Sequence, residues 1–177
     1  ATREAVAAAP PGTGHLHLSG YPLLHAGSRP GGLAALAAAR SRGLTTSVDA
    51  ASAAPLRDTG DFLQLVRGTD LLLCNADEAA VLAGPGSAGE QAGALLAYAE
   101  QVVVKTGPDG AVWRSRDGSS HSVAAVRVPT VDPTGAGDAF AAGLLHAWLR
   151  GSGPEAALRA GAALGAAAVG RFGARPT

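Results

Sequence analysis

The chain of 177 residues contains no methionine and a single cysteine, Cys74. One thiol excludes an intramolecular disulfide framework and a cysteine-based metal site. It lies in the apolar run DLLLCN (70–75), where a buried thiol is expected, and it is compatible with a cytoplasmic, reducing compartment. Charge of either sign is sparse and balanced, with 14 basic against 14 acidic residues, so nothing predicts a footprint for nucleic acid or an anionic membrane. No apolar run approaches the length of a membrane span. The opening ATREAVAAAPPG lacks the cationic start and apolar stretch of a signal peptide. Aromatic residues make up only 4%, so a core must be assembled from the Ala, Leu and Val that dominate the 47% hydrophobic content. Lys105 is the only lysine among those basic residues, which singles it out. A translated chain begins with methionine; its absence predicts a processed chain or a piece of a longer one.

Strand and helix signals alternate along the chain. HLHLSG (15–20), TTSVDA (45–50), DLLLCN (70–75) and QVVVKTG (101–107) read as strands, the last two as apolar runs covered on both faces. GAVWRSR (110–116) and HSVAAVRV (121–128) read as a β-pair joined by DGSS. Helices are expected over 31–43, 58–68, 77–84, 89–101, 137–151 and 154–170, with Gly43, Gly68 and Gly151 as stops and Pro154 in a first turn. The pattern predicts one α/β domain over residues 1–177, a three-layer αβα arrangement around a mostly parallel sheet. In such sheets ligands gather outside the carboxyl ends of the strands. Asp49, Asn75, the stretch Lys105-Thr106-Gly107 and the loop before Gly135 would converge on that rim.

The rim motifs carry the chemistry. GPGSAG (84–89) matches a dinucleotide-binding spacing, but it follows a helix and Pro85 removes an amide, so it reads as a plain helix–helix connection. No P-loop spacing is present. NADE (75–78) has the spacing of a capping box, Asn75 with Glu78. The same two side chains also face the rim, where Glu78 could hold a water on Mg²⁺ and Asn75 could reach a phosphate. KTGPDG (105–110) is either a simple Pro-Asp-Gly turn or a nucleotide shelf, with Gly backbone close to a ribose or phosphate and Lys105 adding positive charge. DPTGAGD (132–138) is the strongest signal. Gly135, Ala136 and Gly137 stand at a helix start, where unpaired amides and the helix dipole favour an anion. Asp138 falls in the first turn beside them. Donors preorganised around a phosphoryl group, next to a carboxylate that accepts a hydroxyl proton, suit phosphoryl transfer.

DPTGAGDAFAAGLL resembles the C-terminal signature of the PfkB/ribokinase family of sugar and nucleoside kinases. HLHLSGYPLL, LLLCNADEAAVLAG, VVVKTGPDGAVW and AGAALGAAAVGRFGARP fall in the family's order and spacing. The resemblance implies a ribokinase-like fold and ATP-dependent phosphoryl transfer to a sugar hydroxyl. It makes Asp138 the catalytic base and Gly135, Ala136 and Gly137 the anion hole. Asn75 and Glu78 match the family's N-x-x-E, which organises Mg²⁺ and phosphate. Lys105, Thr106, Gly107, Asp109 and Gly110 match the segment lining ATP. Asp132 and Thr134 match positions near a monovalent-cation (K⁺) site of some members, and Gly173 lies in the segment that completes it. Two departures stand out. Ala162 replaces the Asn or His that many members carry near adenine, and AAS follows SVD where several ketosugar kinases read D-x-N-x-R. The family's N-terminal half, with its sugar contacts and the lid through which relatives often form homodimers, has no counterpart here. The expectation is therefore a C-terminal fragment carrying the nucleotide half, whose isolated activity is in question. A nucleoside kinase and a noncatalytic nucleotide-binding domain are the alternatives.

Overall fold

A computed structural model describes residues 6, 8–10, 12–170 and 173. Six strands form one sheet in sequence order. β1 (His15–Ser19), β2 (Thr45–Asp49), β3 (Thr69–Asn75) and β4 (Ala99–Lys105) are parallel. β5 (Ala111–Ser115) and β6 (Ser120–Val123) complete it as an antiparallel extension. The expected mostly parallel αβα arrangement is present.

Alternation along the central strands sorts the core into two layers. Leu72 and Cys74 of β3 join Val48, Val102 and Val104 on one face. Leu71 and Leu73 join Val103 and Trp113 on the other. α1 (Tyr21–Leu24), α2 (Arg29–Ser41), α3 (Ala53–Asp58), α4 (Phe62–Leu65), α5 (Ala76–Ala83) and α6 (Ala88–Leu95) supply Leu23, Leu36, Leu56, Phe62, Ala79 and Leu95 to the first layer. α7 (Ala136–Leu149) and α8 (Pro154–Val169) supply Phe140, Leu144 and Leu158 to the second. Each fully buried leucine contributes about 1.5–3 kcal/mol of transfer free energy, so β3, apolar on both faces, anchors the sheet.

Glycine sets the α7–α8 contact. A Cβ built on Gly143 would stand 2.6 Å from the Ala160 carbonyl oxygen, and one on Gly161 would stand 2.9 Å from that of Phe140. The two backbones approach more closely than larger residues allow at these points.

Several elements differ from the sequence reading. Of the helix expected over 58–68 only α4 (Phe62–Leu65) forms, and α3 (Ala53–Asp58) precedes it as a separate helix ending at Asp58. Thr59 ends α3 by donating its amide to Leu56 O and its hydroxyl to Pro55 O. The helix expected over 89–101 stops at Leu95, because Ala99 is buried and already pairs with Thr69 in the sheet. β6 ends at Val123 rather than at Val128, where the chain leaves the sheet. α1, a single turn opened by Pro22, has no sequence counterpart. Gly84 to Ser87 is the helix–helix connection read from GPGSAG, with Ser87 and Glu90 forming a capping box on α6.

On the end strand β1, both ring nitrogens of His15 hydrogen-bond hydroxyls, those of Thr45 and Ser47, each at 2.8 Å. Its ring meets Trp148 edge-on with centroids 5.6 Å apart. Burial, reinforced by the neighbouring His17, lowers its pKa from 6.5 to about 4. A histidine whose folded pKa is depressed contributes stability that is present above the unfolded pKa and lost as pH falls toward the folded one. Urea midpoints should therefore decline between about pH 6.5 and 4, and His15→Gln should flatten that decline. An unchanged slope in the variant would assign the acid sensitivity elsewhere.

Candidate functional site

Parallel register brings the strand ends to one rim. Ser19 is level with Asp49, and Asn75 with Lys105. Gly20 closes β1 against the next strand end, where a Cβ would fall 2.6 Å from Asp49 O. Asn75 and Glu78 form the full capping box. Asn75 Oδ1 accepts from Glu78 N at 2.9 Å, while Glu78 accepts from Asn75 N and Asn75 Nδ2, both at 2.8 Å. Glu78 is only 2% exposed. Burial raises its carboxyl pKa, the Asn75 amide opposes this, and the nearby Asp49 charge adds to the rise.

Lys105 does not project into solvent. Its Nζ lies 2.6 Å from Asp49 Oδ2, and the two side chains are 12% and 16% exposed. The other oxygen, Asp49 Oδ1, accepts from Ala51 N at 3.1 Å. Ala51 adopts φ +76°, the only non-glycine residue in the left-handed region among those described. The residues after Lys105 fold into a closed turn, with Thr106 N donating to Gly110 O and Asp109 N to Thr106 O. Gly107 at φ +61° and Gly110 at φ +102° make this turn possible.

The start of α7 opens beside this turn. Gly135 is its N-cap at φ +77° with no side chain to cap the first amides. A Cβ on Gly137 would stand 3.7 Å from Lys105 Nζ, which places the ammonium at the helix N-terminus. Asp138 sits in the first turn and is exposed. His17 is near enough for several charges to act on it. His17 is exposed overall, but partial desolvation of its ring by the surrounding rim lowers its pKa, Asp49 and Asp138 oppose this, and Lys105 reinforces it. In the loop before α7, Asp132 accepts from the amides of Thr134 and Gly173, at 2.9 and 3.1 Å. Hydrogen bonds from Thr134, hydroxyl first, and from the Gly173 amide hold its carboxyl below the usual range. The three residues expected around a monovalent cation are thus adjacent, joined by hydrogen bonds to Asp132.

A cleft of about 780 Å³ runs from this rim along α8. Asn75, Lys105, Asp109, Gly110, Ala136 and Gly137 line its polar end. Val126, Val128, Ala162, Ala166 and Val169 line the apolar remainder. The departure of the chain from the sheet after Val123 contributes Val126 and Val128 to that apolar wall, where the sequence predicts a strand to Val128. Sequence reasoning placed Asp49 on the rim but missed its pairing with Lys105. The available signal was an acid and the sole lysine ending strands two apart in one sheet, a span of about 10 Å that a lysine and an aspartate together can bridge. His17 was missed altogether.

The donor set bears on Mg²⁺. Among the described residues, no three His, Cys, Asp or Glu side chains converge as a metal-binding group. Glu78 is buried and engaged by Asn75, so it suits a hydrated ion that takes its inner oxygens from phosphates, not a protein cage. Among the described residues, no helix is long and apolar enough to cross a membrane.

The sequence pattern of the pfkB family carbohydrate kinases matches residues 5–177. An ATP-dependent ribose-1-phosphate kinase from Halopiger xanaduensis is 36% identical over 163 residues, covering 91% of this chain and 50% of that protein. The crystal structure of an adenosine kinase from Sinorhizobium meliloti superposes with a TM-score of 0.86 at 25% identity, covering 98% of this chain and 53% of that one. An aminoimidazole riboside kinase from Salmonella enterica, complexed with aminoimidazole riboside and an ATP analogue, superposes with a TM-score of 0.79 at 26% identity, covering 90% of this chain and 57% of that one. The chain spans about half the length of the curated relatives it matches.

Proposed function

Because the chain belongs to the pfkB family of carbohydrate kinases, we propose that it is the C-terminal, nucleotide-binding and catalytic part of a kinase that transfers the γ-phosphoryl group of ATP to a sugar hydroxyl. The observation that carries this reading is one continuous cleft. It joins the Gly137 end of α7, Lys105, Asn75 and the Lys105–Gly110 turn to an apolar wall of a size to take a nucleobase. The ATP analogue in the Salmonella enzyme supports the choice of nucleotide. The ribose-1-phosphate kinase similarity supports a sugar as acceptor.

In this reading the α7 start at Gly135, Ala136 and Gly137 holds the transferring phosphoryl group, through the Gly135 and Gly137 amides because the Ala136 amide donates to Pro133 O, aided by the helix dipole and Lys105. Asp138 accepts the proton of the acceptor hydroxyl as its oxygen bonds to phosphorus and the bond to the ADP oxygen breaks. The proton leaves late in a loose transition state, so the acceptor need not be a strong base. Asn75 and Glu78 would hold a hydrated Mg²⁺, which would supply positive charge to the phosphate oxygens. Thr106, Gly107, Asp109 and Gly110 shape the shelf under the nucleotide. Asp132, Thr134 and Gly173 are proposed as the surroundings of a monovalent cation such as K⁺, on the strength of the anionic Asp132.

A coupled ADP-release assay over a panel of sugars and nucleosides, on this chain and on the full-length protein, tests the reading. Turnover with a sugar is the expected result for the full-length protein. Turnover only with nucleosides would move it to the nucleoside kinases, in line with the adenosine kinase similarity. Calorimetric ATP binding with no turnover on any acceptor would leave a noncatalytic nucleotide-binding domain.

A further inference from the structure

Lys105 has an anionic partner already. Its ammonium is pinned at 2.6 Å to Asp49 Oδ2 in a pair that is largely withdrawn from water. Asp49 is itself held on the other side by the Ala51 amide, whose residue keeps an unfavourable backbone for a non-glycine. Yet the same ammonium stands at the N-terminus of α7, within van der Waals reach of where a Gly137 side chain would begin. Two anions would therefore compete for one cation: the fixed carboxylate and any phosphate entering at Gly137.

We propose that Asp49 is a placeholder counter-ion. It satisfies Lys105 while the cleft holds no nucleotide and yields the ammonium to the nucleotide phosphate on binding. This deepens the reading of the cleft given above and rests on it. The physical ground is the cost of an unpaired, poorly hydrated charge. Without Asp49, Lys105 would lack a partner until phosphate arrived, so the empty protein would lose stability and phosphate binding would recover it. A residue that only braced the rim would behave oppositely, and its loss would weaken stability and binding together.

The test uses ADP and adenosine as probes. In Asp49→Asn, the unfolding midpoint without ligand should fall. ADP should bind at least about threefold more tightly than in the wild type, with a larger ADP-induced rise in midpoint. Adenosine affinity should stay within about twofold, since it carries no phosphate. The gain should vanish in the double variant Asp49→Asn, Lys105→Gln, which isolates the pairwise effect. A second readout needs no variant. Lys105 is the only lysine, so isotopic labelling at lysine Nζ gives a single ammonium resonance. ADP should shift it and adenosine should leave it in place. An equal or weaker ADP affinity in Asp49→Asn, or an Nζ resonance that ADP does not move, would overturn the placeholder role while leaving the nucleotide cleft standing. Failure of the wild type to bind ADP at all would overturn both.

Discussion

On the proposed kinase reading, Asp138→Asn should lower turnover of the full-length protein by about 10²- to 10⁴-fold, the usual contribution of a positioned general base. ADP affinity should hardly change. The amide is isosteric with the carboxylate, and Asp138 is exposed in the first turn of α7, outside both core layers. The helix start keeps its shape because Gly135 caps it through backbone conformation, with no side chain involved. The loss should therefore fall on kcat, with only the small dipole term of about 0.3–1 kcal/mol taken from the helix. Steady-state kinetics with the acceptor found by the ADP-release panel at saturation, and calorimetry with ADP, give the two numbers. Wild-type turnover in the variant would remove Asp138 from the chemistry, and an equal loss of ADP affinity would make it a binding residue.

The largest expected effect on stability is at Gly110. Its φ is +102°, and an added Cβ would meet the Val123 carbonyl oxygen at 1.9 Å. Neither problem relaxes cheaply, since the obstacle is backbone at the end of the β5–β6 pair. Gly110→Ala should cost about 2–6 kcal/mol, combining left-handed strain with overpacking. Gly118→Ala is the matched control. Its φ is +88°, but nothing lies within 4 Å of the new methyl, so strain alone remains at about 1–3 kcal/mol. Thermal unfolding of both variants separates the close approach from the dihedral. Equal midpoints would mean that the Val123 contact carries no energy.

The sequence was legible where local chemistry and tertiary context agree. β3 is apolar on both faces because helices cover both, and its pattern shows this without a structure. The α7 and α8 spans were readable because Gly151 and Pro154 mark the boundary between them. The capping box at Asn75 was visible in spacing alone. What stayed hidden depends on contacts distant in the chain. The helix expected to reach Gln101 ends at Leu95 because Ala99 is claimed by Thr69 of β3, a decision made across the sheet. The valines after Val123 carry strong strand propensity, yet they leave the ladder and wall a cleft, which no local pattern encodes. The pairing of Asp49 with Lys105 spans 56 positions, and only the register of the intervening strand brings it about.

The glycine seam between α7 and α8 has a dynamic corollary. Helices locked backbone to backbone at Gly143 and Gly161 cannot slide past one another without breaking that contact. The two helices should thus open as one cooperative unit, with their slowest amides exchanging with deuterium at a shared protection. The N-terminal end of α7 and the apolar wall on α8 would then travel together, and any narrowing of the cleft would have to come from the Lys105–Gly110 turn or from residues 124–130.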